Sequence, residues 1–134
     1  MRILVVSDTH GDEGALQRAV QAQPSARTVI HLGDGAREAE AVAARFPDRM
    51  FWQVRGNGDF ALGSAGLLYA REETLGGKRL FFTHGHLYGP DAPPPIRSGS
   101  FLLCGHTHLP VRRAIEGFTY LNPGSLALPK EGTP

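Results

Sequence analysis

Three short apolar runs, each leading into a polar stretch that contains glycine, constrain this chain more than any other feature. "RILVVS" (2–7) is apolar at every position from Ile3 to Val6. That is the pattern of a strand buried on both faces, not of one with a wet side. "TVIHLGD" (28–34) repeats it, and "RMFWQVRGNGD" (49–59) carries a third run. After "DTHGD", Leu16, Ala19 and Val20 stand at i, i+3, i+4 spacing in a helical stretch that stops near Pro24. "GAREAEAVAARF" (35–46) is a second helical stretch, ending before Pro47. Strand, helix, strand, helix, strand predicts parallel βαβ units.

The second half has a different pattern. "YAREETLGGKRLFFTHGH" (69–86) reads as two strands joined at Gly76-Gly77, an antiparallel hairpin. "LYGPDAPPPIRSGS" (87–100) holds four of the ten prolines and reads as a rigid surface loop, and "FLLCGHTH" and "FTYLNPGSLALP" supply two more short strands. The elements predict a two-layer or sandwiched α/β fold with a mixed sheet. At 134 residues the chain is expected to be a single domain, 1–134, with room for a real core.

Composition excludes several functions. Lys and Arg total 14 against 13 Asp and Glu, a formal net charge of +1, with no basic run. Nothing therefore suggests a nucleic-acid-binding or membrane-binding surface. The opening apolar run is too short for a signal peptide or a membrane span. A single cysteine, Cys104, rules out an internal disulfide framework and fits a reducing cytoplasm.

The chemistry sits where the strands end. The first strand delivers Asp8 and His10, the second Asp34, the third Asn57 and Asp59, the hairpin His84 and His86, and "GHTH" His106 and His108. In open α/β sheets ligand sites gather at the carboxyl ends of strands. The last two histidines stand at i and i+2, so on an extended chain they leave the same face. Imidazoles, carboxylates and one amide oxygen, without thiolate, suit manganese, iron or zinc. Even seven of these nine groups would be too many for one ion and would fit two. A carboxylate can bridge ions about 3.5–4 Å apart, and Asp34, between Gly33 and Gly35, is the best placed to do so.

These motifs, "D-x-H" (8–10), "GD" (33–34), "GN-x-D" (56–59), "HGH" (84–86) and "GHTH" (105–108), resemble in order those of the calcineurin-like metallophosphoesterases. "HGHLYGP…GHTHLP…LNPGS" is similar to the small bacterial and archaeal phosphodiesterase branch. That resemblance implies the calcineurin-like fold, with mixed β-sheets sandwiched by helices and a dinuclear metal site at the C-terminal strand ends. It implies one ion on Asp8, His10, Asp34 and His108, a second on Asp34, Asn57, His84 and His106, and manganese as the expected metal, with iron, nickel or zinc possible substitutes. It further implies a small phosphodiester substrate hydrolysed by a metal-bridging hydroxide, with Asp34, Asn57 and His84 catalytic and with Asn57 and His86 contacting substrate. The same branch contains a retromer subunit that lost catalysis, so the alternative is a metal-binding protein-interaction scaffold.

Two departures from the family pattern matter. Where many relatives have a histidine after the asparagine, placed to protonate the leaving oxygen, this chain has Gly58. Losing a general acid costs about 10²–10⁴-fold, so turnover is expected to depend steeply on the leaving group. The family also continues past "NPGS" with further strands, whereas this sequence stops at Pro134. Either the chain is shortened, or another chain, such as a second copy in a homo-oligomer, covers the edge.

The remaining polar residues have plainer roles. His31 is expected to be packed, not ligating; His86 to contact substrate or orient His84; Asp59 to support the site or cap a helix. Asp12 is expected to cap the first helix, Cys104 to fill core, and Asn122, Gly124 and Ser125 to form a turn near the site.

Overall fold

The computed structural model describes residues 2–56, 70–75, 77–85, 99–107, 110–115 and 117–124. The first three strands, β1 (Arg2–Val6), β2 (Ala26–His31) and β3 (Met50–Gln53), form a parallel sheet in the order β1-β2-β3. Two helices, α1 (Glu13–Ala22) and α2 (Ala36–Arg45), connect them. Side chains alternate between the faces. Leu4, Val6, Val29 and Phe51 meet Leu16 and Val20 of α1 and Ala39 and Val42 of α2. Ile3, Val5, Ile30 and Trp52 face the other way, against a second sheet. Both faces are covered, which is why the runs are apolar without alternation. Asp12 caps α1 as expected, its carboxylate accepting from the Ala15 amide at 2.9 Å.

The second sheet is mixed and has five strands: β4 (Ala70–Leu75), β5 (Lys78–Thr83), β6 (Ser100–Leu103), β7 (Pro110–Ile115) and β8 (Phe118–Pro123), in the order β4-β5-β6-β8-β7. β4 and β5 are the expected antiparallel hairpin, while β5, β6 and β8 run parallel to one another. β7 is the one described strand the sequence did not suggest. "PVRRAI" is exposed from Pro110 to Ala114 and lies on the sheet edge. With no buried face it has no apolar alternation, and its register comes from antiparallel pairing with β8. The strands are also shorter at their carboxyl ends than the apolar runs suggested. β2 stops at His31 and β3 at Gln53, which frees Leu32–Asp34 and Val54–Gly56 as loops.

The two sheets meet through Ile30, Leu32 and Val54 on one side and Leu80, Phe82 and Leu103 on the other. Phe82 is fully buried and stacks on Trp52, ring centroids 6.1 Å apart. A smaller cluster of Leu102, Cys104 and Tyr120 lies on the other face of the second sheet. Burial pushes the Cys104 thiol up to about 12, which fits core filling. Among the described residues, no helix is long and apolar enough to cross a membrane.

Candidate metal centre

The loops at the carboxyl ends of β1, β2, β5 and β6 are tied together by main-chain bonds. The Asp8 and His10 amides donate to the Gly33 and Asp34 carbonyls, both at 3.0 Å, and the Gly105 amide donates to His84 O at 2.7 Å. Two links cross from one sheet to the other. His84 Nδ1 donates to the Leu32 carbonyl at 2.7 Å, and the His106 amide donates to Asp8 Oδ2 at 3.0 Å. The centre therefore straddles the seam between the layers, above their shared apolar core.

Asp8 is wholly buried. Its Oδ2 accepts from the His106 amide and, at 2.5 Å, from the Ser7 hydroxyl. That leaves Oδ1, buried and accepting no hydrogen bond among the described residues, to face two imidazoles: His10 Nε2 at 3.5 Å and His84 Nε2 at 3.7 Å. Asp34 Oδ2 lies 3.2 Å from His84 Nε2 and 3.8 Å from His10 Nε2. His106 Nδ1 stands 3.2 Å from His84 Nε2. The donor atoms fall into two sets whose members all lie within 4.8 Å of one another: Asp8, His10 and Asp34; and Asp34, His84 and His106. Asp34 belongs to both.

This donor set fits divalent ions. The oxygens and nitrogens converge from separate elements, and the Leu32 carbonyl takes the Nδ1 proton of His84, so a neutral ring aims its Nε2 lone pair inward. Burial alone would push the His84 imidazole down; the hydrogen bond with Asp34 and the charges of Asp8 and Asp34 outweigh it and hold the pKa above 6.5. In the absence of a cation, the two carboxylates favour the protonated form of that ring.

Backbone conformation marks the same residues. Asp8, His10, Asp34 and His106 have φ of 55°, 43°, 57° and 71°, and they are the four non-glycine residues with positive φ among those described. Left-handed backbone at non-glycine residues is uncommon and persists where the surroundings enforce it. Gly105 is needed for a different reason: a Cβ there would overlap Ser7 Oγ and come within 2.6 Å of Asp8 Oδ2.

Of the sequence-predicted site residues, Asp8, His10, Asp34, His84 and His106 come together. Asn57, Asp59, His86, His108, Gly58 and Ser125 lie outside the described residues. His31 is buried and packed, as expected, bonded to Thr9 and Gly33. Asn122 reaches the site indirectly, holding the "GHTH" loop through Gly105 O at 3.0 Å and Thr107 Oγ1 at 3.1 Å. Ser7, Thr9 and Glu38 were missed. Their one sequence signal is that Ser7 and Thr9 flank Asp8, and Glu38 had none.

Over residues 1–134 the sequence matches the calcineurin-like phosphoesterase superfamily domain. The chain belongs to that superfamily, a family of metal-dependent phosphoester hydrolases. It is 35% identical to phosphodiesterase YfcE of Escherichia coli K12 over 154 aligned positions, spanning all of this chain and 84% of that protein. The solved YfcE structure superposes with a TM-score of 0.84, at 32% identity, covering 100% of this chain and 85% of that one. A probable metallophosphoesterase, YsnB of Bacillus subtilis, is 31% identical over 97% of this chain and 78% of its own length. Zinc-complexed Vps29 from Entamoeba histolytica shares the fold at TM-score 0.68, with 22% identity over 93% of this chain and 74% of that one.

Proposed function

We propose that this chain is a phosphodiesterase that binds two divalent ions, manganese by preference, and acts on small phosphodiesters in the cytoplasm. The observation that carries the reading is the Asp34 carboxylate, common to both donor sets. One ion is assigned to Asp8, His10, Asp34 and His108, the other to Asp34, Asn57, His84 and His106. When bound, such ions supply Lewis acidity toward phosphoryl oxygens and a nucleophile available at neutral pH.

The protein's own share is positioning. Ser7 and the His106 amide hold one oxygen of Asp8 so that the other faces the centre. The Leu32 carbonyl fixes the tautomer of His84. Asp8, Asp34 and His84 are buried while His10 and His106 are exposed, so the last two form the mouth through which a substrate phosphate enters. Asn57 and His86 contact that substrate. Gly58 offers no proton to the departing oxygen, so diesters with acidic leaving groups are turned over best. The single buried thiol of Cys104 supports a reducing, cytoplasmic setting.

Hydrolysis of bis(p-nitrophenyl) phosphate with added manganese, compared with a chelator-treated sample, tests the reading. Turnover is expected only with the metal, and Asp34→Asn is expected to reduce it to background in a folded protein. No turnover from protein shown to hold two metal ions would replace catalysis with a scaffold role.

A further inference from the structure

Residues 8–11 are an unusual stretch of backbone. Asp8, His10 and Gly11 all have positive φ, at 55°, 43° and 88°. A segment with three such residues needs to be held from outside. Asp8 and His10 face the metal centre, whereas Thr9 between them is buried on the opposite side. Its hydroxyl donates to Glu38 Oε2 at 2.8 Å, and the Gly11 amide donates to the same oxygen. Glu38 lies in the first turn of α2, four residues beyond Asp34, and is 7% exposed. It belongs to neither donor set. Burying a carboxylate is unfavourable unless hydrogen bonds compensate, and here the compensating donors belong to the β1–α1 loop.

A second branch reaches Thr9 from β2. The Gly33 amide donates to His31 Nδ1 at 3.1 Å, so Nε2 carries the ring proton and donates to Thr9 Oγ1 at 3.1 Å. The bonds run in one direction, from Gly33 through His31 and Thr9 to Glu38. Gly35 reserves the space, because a Cβ there would overlap Thr9 Oγ1 and stand 2.8 Å from His31 Nε2.

We infer that Glu38, acting through Thr9 and the Gly11 amide, is a positioning residue that fixes Asp8 and His10 relative to Asp34 and so preorganises one of the two metal sites. The inference rests on the two-metal reading above. Partners that orient metal ligands are worth about 10–100-fold in affinity when removed.

The test is calorimetric titration of manganese into the chelator-stripped full chain, with the bound ions counted by electron paramagnetic resonance. Wild type is expected to bind two. Glu38→Leu and the isosteric Thr9→Val are expected to weaken one ion by about 10–100-fold and leave the other unchanged. Thr9→Ser and Glu38→Gln, which keep the hydroxyl and an acceptor oxygen, are expected to retain most of that affinity. The weakened site is the one that His10→Ala removes, so Thr9→Val adds nothing in a His10→Ala background. If Thr9→Val lowers the melting temperature while both affinities stay at the wild-type value, Glu38 and Thr9 only support the fold and the inference is overturned. If Glu38→Leu does not fold, Thr9→Val against Thr9→Ser decides it. Wild-type protein that binds no manganese removes the centre itself, and the inference with it.

Discussion

At the scale of single residues, the metal centre is built from conformations and contacts that the fold otherwise disfavours. Four donor residues sit in left-handed backbone, at about 1–3 kcal/mol each. Two buried carboxylates, Asp8 and Asp34, both face the imidazoles of His10 and His84. Such a site depends on its small neighbours. Replacing Gly105 by alanine drives a methyl group into Ser7 and Asp8, and overpacking of this kind costs about 1–3 kcal/mol. It also displaces the His106 amide from Asp8 Oδ2, so metal affinity falls together with stability. Thermal melts and manganese titration of Gly105→Ala check both, and wild-type affinity in that variant would show that the loop yields without disturbing Asp8. At this scale the sequence was only half legible. Asp8, His10, Asp34, His84 and His106 stood out because their side chains are ligands and each follows a strand. Ser7, Thr9 and Glu38 did not, because they act on other residues and their partners are distant in the chain; Thr9 and Glu38 are 29 positions apart.

At the scale of elements, burial separates the strands that matter from the one that escaped notice. β5 is an interior strand of the second sheet, and its Phe82 is fully enclosed between the sheets and stacked on Trp52. Phe82→Ala is expected to cost about 3–5 kcal/mol and to shift the denaturant midpoint accordingly. Arg112→Ala on exposed β7 is expected to stay within about 0.5 kcal/mol. Comparable losses in the two variants would mean that the seam between the sheets is not the main core. The same contrast explains what the sequence revealed about the fold. β1 and β2 were legible because both of their faces pack against apolar clusters, and the β4–β5 hairpin because glycine marks its turn. β7 has neither signal, since its pairing with β8 uses main-chain atoms that any sequence supplies. That the second sheet stands apart from the first was legible only through the family resemblance, because it depends on which strands pair and not on the pattern within any of them.

At the scale of the whole molecule, the centre joins two layers that otherwise meet through apolar contact. Asp8, His10 and Asp34 come from the first sheet, His84 and His106 from the second. A cation bound there ties the sheets together, and metal-linked stability reaches about 2.7 kcal/mol at an ion concentration of about 100 times Kd. In the metal-free protein a proton on His84 does part of this work. Its folded pKa is raised above the ordinary 6.5, so the stability it contributes is fully present below 6.5 and is lost as pH rises through the folded value. A metal ion must displace that proton before it can bind. The two contributions therefore run in opposite directions with pH. Metal-free protein is expected to melt at progressively lower temperature as pH rises above 6.5, while the increment from added manganese grows over the same range. Paired thermal melts with chelator and with manganese, at each pH, isolate the effect, because groups outside the centre titrate equally in both samples. A manganese increment independent of pH would mean that His84 holds no proton in the metal-free protein, and with it would go the view of His84 as the group that a proton and a metal ion hold in turn.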